Sequence, residues 1–165
     1  MNYLQWLTQS TPTKFWHDSA IPEEIDAAIG NGALGVTTNP VLTYKTLQAA
    51  PEFWQPEVDK IPKTLTPPQR AEALLKMVAV YAAGRFRPIF QQTEGEHGYA
   101  LGQLDPSICM DSEKMIEQGL RYASWADNIS VKTPSIKSAL PLVEELASRG
   151  IAVCTTLNFS VSQAM

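Results

Sequence analysis

NISVKTPSI, residues 128–136, is the stretch on which the fold turns. Its β-branched residues Ile129 and Val131 alternate with Ser130 and Lys132, the period-two pattern of a strand, and Pro134 interrupts it. Lysine is among the side chains least tolerant of burial, yet Lys132 lies near the end of what reads as an inner strand. Helical patterns flank it: DSEKMIEQGLRYASWA (111–126) before, and SALPLVEELASRG (138–150) after, with Gly150 as a helix stop. A strand held between two helices is the repeating unit of a parallel sheet.

The same rhythm runs outward. Upstream, FWH (15–17) precedes Asp18, and EEIDAAIGN (23–31) has helical spacing after Pro22, a residue suited to a helix start. LGVTTNP (34–40) is short, β-branched and closed by turn chemistry. Residues 41–87 read as helical in pieces, with a proline-rich interruption from Pro56 to Pro68, and YALGQLDP (99–106) follows. Downstream comes IAVCTTLNF (151–159). Five strands alternating with helices predict one α/β domain over residues 1–165, joined by right-handed crossovers. The polar residues Asp18, Thr37, Thr38, Asn39, Gln103, Asp105, Lys132, Thr156 and Asn158 gather at strand ends, where a barrel builds its site. No glycine-rich phosphate fingerprint follows the first strand, so a barrel is predicted over an open dinucleotide-binding sheet.

Composition narrows the function. A chain of 165 residues, 44% hydrophobic and 18% charged, is an ordinary globular domain. A net charge of −4 with no basic stripe argues against a nucleic-acid partner. IAVCTTLNFSVSQAM is too polar to span a bilayer, and MNYLQWLTQSTPTKFW lacks the pattern of a secretory signal. Cys109 and Cys154 have no metal-ligand spacing and read as reduced thiols. The expectation is a cytoplasmic protein with no membrane partner.

Taken singly, the polar residues have plainer readings. Lys132 suits a solvated strand end, and Asp18 suits a helix cap. Thr38, Asn39 and Pro40 suit a turn, Thr156 and Asn158 satisfied core polars. Trp16, Trp54 and Trp125 read as packing residues.

Taken in order, WHDSA (16–20), GVTTNP (35–40), SVKTP (130–134) with SIKSALPLVEELASRGI after it, and TLNFS (156–160) resemble the transaldolase family. FRPIFQQTEGEHGYALGQLDP (86–106) is similar to a stretch of the longer transaldolases. The resemblance implies a (β/α)8 TIM-type barrel, of which this chain holds about the first five strands. It implies no metal and no organic cofactor. It also implies a Schiff base between a fourth-strand lysine and a ketose phosphate, in transfer or cleavage of a three-carbon ketol unit of the pentose phosphate type. The matching positions make Lys132 the nucleophile and Asp18 the proton acceptor. Thr156 would position a water, with Gln103 beside it, while Thr38, Asn39, Cys154 and Ser160 would hold substrate. The chemistry is coherent: an amine attacks a carbonyl only when neutral, burial favours that form, and the iminium draws electrons from the neighbouring carbon–carbon bond.

Departures from the family pattern sharpen the expectation. Gln103 stands where transaldolases carry a catalytic glutamate, and an amide orients water but cannot accept and return a proton. Some smaller aldolases of the superfamily carry glutamine there too. Cys154 replaces an asparagine. Strands six to eight are expected to come from self-association, a second chain or further polypeptide, because parallel edges left open invite pairing. The alternative is an impaired remnant that binds a phosphosugar or a protein partner.

Overall fold

The computed structural model describes residues 1–164. A short helix α1 (Tyr3–Ser10) precedes α2 (Pro22–Gly30), β1 (Gly35–Val36), α3 (Pro40–Ala49), α4 (Pro51–Val58) and the long α5 (Pro67–Gln92). Then come β2 (Tyr99–Gln103), α6 (Ser112–Ala123), β3 (Ile129–Pro134), α7 (Leu140–Ser148), β4 (Val153–Thr156) and α8 (Val161–Ala164). The last of the helical pieces expected over 41–87 runs on to Gln92 as one continuous helix, started by Pro67 at its first position and by Gln69, whose side chain accepts from Thr66 N at 3.0 Å.

All strand pairs are parallel, and the spatial order is β1-β2-β3-β4. Because the order never reverses, right-handed crossovers put every connecting helix on the same face. An open doubly wound sheet would need a switch point. The result is an α/β fold with a parallel sheet of four strands, consistent with a partial TIM-type barrel. Five strands were expected, and the first is reduced here to a single parallel bridge, His17 to Val36. Its backbone still pairs: His17 N donates to Gly35 O at 3.0 Å, and Thr37 N to His17 O at 2.9 Å. Asp18 and Ser19 turn out of the pairing too soon for a longer strand.

The core lies between sheet and helices in two clusters. One gathers Ile25, Val36, Trp54, Phe86 and Ala100, the other Met115, Tyr122, Val131, Leu142 and Leu146. Gly119 permits the close approach of α6 to α7, since a Cβ there would sit 2.7 Å from Leu142 Cδ1. Asn128, at the head of the deciding stretch, is 1% exposed. Its Nδ2 donates to Ala83 O at 2.8 Å and to Gly98 O at 2.7 Å, so one amide ties the middle of α5 and the start of β2 to the start of β3. β4 is the sheet's half-exposed edge.

Candidate active site

The register builds the site. Gln103, Lys132 and Cys154 are direct partners across β2, β3 and β4. Residues paired in register point to one face, so the three side chains form a row on the face away from the helices. Val131 and Thr133, of opposite parity, are fully buried on the helix side. Two residues further along β4, Thr156 falls on the same face as Cys154.

Lys132 is half-buried, and its Nζ donates to Thr37 Oγ1 at 3.1 Å across the intervening β2. Thr37 was not singled out as a substrate or catalytic residue, although alternation carries the signal: Val36 and Thr38 share the parity of the core. Thr38 is accordingly turned inward, 2% exposed, with its hydroxyl donating to Leu101 O at 2.5 Å. The structure thus places Thr37 on the face of Lys132 and turns Thr38 into the core.

The other expected residues differ in how far they are engaged. Asn39 caps α3, its Oδ1 accepting from Leu42 N at 2.8 Å. Asp18 is exposed and does not cap a helix, since α2 begins after Ile21 with no side-chain cap bond. The bridge puts His17 on the helix side with Val36, and its Nε2 lies 4.0 Å from Glu24. Cys154 is half-buried, and burial raises its thiol above the ordinary range against the opposing pull of the Lys132 charge. Ser160 is exposed ahead of α8, with its hydroxyl donating to Gln163 Oε1 at 3.2 Å. The chain leaves β4 sharply, with Leu157 at a φ of 64°, an uncommon conformation for a side chain with a Cβ.

Two cavities lie away from this row. One, of about 880 Å³, separates α5 from α6 and is lined by Glu72, Arg121, Gln118 and Tyr122. The other, of about 800 Å³, lies between α4 and α5. Lys132 lines neither, because the sheet face carrying it is open on the side of β4. Among the described residues no cluster of three His, Cys, Asp or Glu side chains forms, and no helix is long and apolar enough to cross a membrane.

A parallel α/β sheet that presents a half-buried lysine amine between hydroxyl, amide and thiol groups at its strand ends is suited to carbonyl chemistry. The family model described as transaldolase/fructose-6-phosphate aldolase matches residues 15–165, and the chain belongs to that family. It is 31% identical over 144 residues to a transaldolase of Trichodesmium erythraeum, covering 84% of this chain and 37% of the relative. A Neisseria meningitidis transaldolase is 29% identical over 86% of this chain and 41% of its own length. Transaldolase 1 of Streptomyces avermitilis is 27% identical over 79% and 35%. The chain therefore spans well under half the length of these relatives.

Proposed function

We propose that the chain carries the Schiff-base half of a transaldolase-like enzyme that transfers or cleaves the three-carbon ketol unit of a ketose phosphate, in pentose-phosphate-type sugar metabolism of the cytoplasm. The observation that carries this reading is Lys132: half-buried, in register with Gln103 and Cys154, and held by Thr37.

In the proposed cycle the neutral amine of Lys132 adds to the ketone, and loss of water leaves an iminium. Asp18 takes the proton of the C4 hydroxyl as the C3–C4 bond breaks, so an aldehyde departs and the bonding pair becomes the enamine. Addition of the enamine to an acceptor aldehyde, with the proton returned, gives transfer; its protonation and hydrolysis give simple cleavage. Thr37 keeps Nζ near the attack trajectory. Thr156 and Gln103 orient the water that carries protons, while Asn39, Cys154 and Ser160 border the sugar. No step calls for a metal or an organic cofactor. The half-exposed edge of β4 supports completion of a (β/α)8 barrel by further strands, from further polypeptide, from self-association or from another chain, and these would hold the phosphate.

A second reading, a phosphosugar- or protein-binding remnant with impaired catalysis, rests on Gln103, whose amide cannot relay a proton as a carboxylate does. One experiment separates the two. The chain is incubated with fructose 6-phosphate or dihydroxyacetone, reduced with borohydride, digested and mapped by mass spectrometry. A reduced adduct on the Lys132 peptide is expected. Binding of the sugar phosphate with no adduct favours the remnant, and an adduct on another lysine refutes the assignment of Lys132.

A further inference from the structure

The sheet face that carries Lys132 is open above and closed below. Leu101 and Ser130 are register partners two residues before Gln103 and Lys132, so they share that face. Both are only 5% exposed, and Leu101 belongs to neither of the two core clusters behind the sheet. A layer of side chains therefore shuts the face beneath the polar row.

Trp16 supplies a large member of that layer. The bridge of His17 to Val36 sets Trp16 beside Gly35. Val36 points into the core behind the sheet, so Gly35 presents its other side to the face of Lys132. There the indole lies. A Cβ on Gly35 would stand 2.7 Å from Trp16 Cζ3 and 2.8 Å from both Cε3 and Cη2. Nearly equal distances to three adjacent ring carbons mean that the ring meets Gly35 face-on, in a seat that any larger residue would fill. Trp16 is 37% exposed, so the ring also presents surface that a ligand can touch.

The strand sets the spacing between ring and amine. Thr37, whose hydroxyl accepts from Lys132 Nζ at 3.1 Å, is two residues beyond Gly35 on the same face, a rise of about 7 Å. Carbon atoms in contact are about 3.5–4 Å apart, so one carbon-sized group fits between the amine and the ring.

We infer that Trp16 is the floor of the Lys132 site and a specificity-determining residue. It limits the arm of the donor ketone that lies beneath the amine to one carbon, the hydroxymethyl end of a 2-ketose. This role rests on Lys132 forming the Schiff base proposed above. Amine and ketone lose one water as the imine forms, so both arms of the ketone stay attached and the lower one meets the ring.

Symmetric ketones test the floor, because both of their arms are the same in either orientation. The chain is reductively alkylated with cyanoborohydride and acetone, 3-pentanone or dihydroxyacetone, and the labelled peptides are quantified by mass spectrometry. The exposed Lys63 in the same digest reports the intrinsic reactivity of each ketone. Relative to Lys63, Lys132 should favour acetone over 3-pentanone about tenfold, the low end of what one methylene is worth in an apolar pocket. Trp16→Ala should bring that preference to within about twofold of Lys63, and Trp16→Phe should lower it part of the way. Trp125→Leu, which loosens the core behind the sheet, should keep the parental preference. Circular dichroism checks that each labelled protein is folded, and Trp16→Phe decides if Trp16→Ala is not. A parental preference in the folded Trp16 variants, or an equal loss in Trp125→Leu, overturns the floor and leaves the Schiff base standing as long as dihydroxyacetone labels Lys132. No dihydroxyacetone label on Lys132 overturns the Schiff-base reading and the floor with it.

Discussion

Exchanging either of two adjacent threonines for valine should have opposite consequences. Thr37 Oγ1 accepts the one hydrogen bond that Lys132 Nζ makes among the described residues, at 3.1 Å. Thr37→Val keeps the shape and removes that acceptor. The reacting amine is neutral, and a neutral hydrogen bond contributes about 0.5–1.5 kcal/mol, so at the upper end about 1–1.5 kcal/mol of orientation is lost. That corresponds to a roughly five- to tenfold slower rate of borohydride-trapped adduct, with the folding midpoint nearly unchanged. Thr38→Val instead deletes a buried bond, 2.5 Å from Thr38 Oγ1 to Leu101 O, and exposes no new surface. It should cost about 1–2 kcal/mol of stability, a fall of about 0.5–1 M in the urea midpoint, with the trapping rate of the folded protein within about twofold of the parent. The assay is a quenched-flow trapping series for both variants, beside urea unfolding followed by tryptophan fluorescence. A Thr37→Val protein that traps at the parent rate, or a Thr38→Val protein that is fully stable but slow to trap, would refute the assignment of faces and the positioning role of Thr37.

Three further outcomes follow from particular contacts. In the completed barrel proposed above, Gln103→Glu should raise the proposed aldol transfer by up to about 10²-fold at unchanged sugar affinity, measured by coupled assay; no gain would show that the amide is not limiting. Thr133→Val should raise the urea midpoint by the equivalent of about 1 kcal/mol, because the Thr133 hydroxyl is fully buried with no partner among the described residues, and destabilisation would reveal a partner. Glu72 is held below its ordinary value of 4.5 chiefly by its hydrogen bonds from Arg121, so the pair stabilises the fold above that pH and the contribution fades as pH falls through the lowered value. Arg121→Gln should therefore flatten the acid side of the stability profile between pH 5 and 3 and leave its alkaline side alone; an unaltered acid limb would count against the pair.

Much of the architecture is written locally. The alternation in ISVKTP, the Asn39-Pro40 start of α3 and the Gly150 stop after α7 act within a few residues, through side-chain parity, fixed φ and capping. That local grammar made the βα rhythm, the parallel sheet and the family resemblance legible before any coordinate. Parity even marked Thr38 as a core residue, had the buried Val36 been used to read it.

What tertiary structure alone decided is which groups meet. Register is a property of two strands at once, so no local pattern could state that Gln103, Lys132 and Cys154 align, or that Nζ reaches over β2 to Thr37. Strand length is also a tertiary outcome: FWH has strand composition, but Asp18 turns away and only the His17 bridge survives. Asn128 looks like a turn residue in the sequence, and only the packing of α5 against the sheet supplies the two carbonyls that make it a buried clamp. The physical reason is common to all three. Backbone conformation is set by near neighbours, whereas a hydrogen-bond partner 30 to 95 residues away exists only after the chain has brought it there.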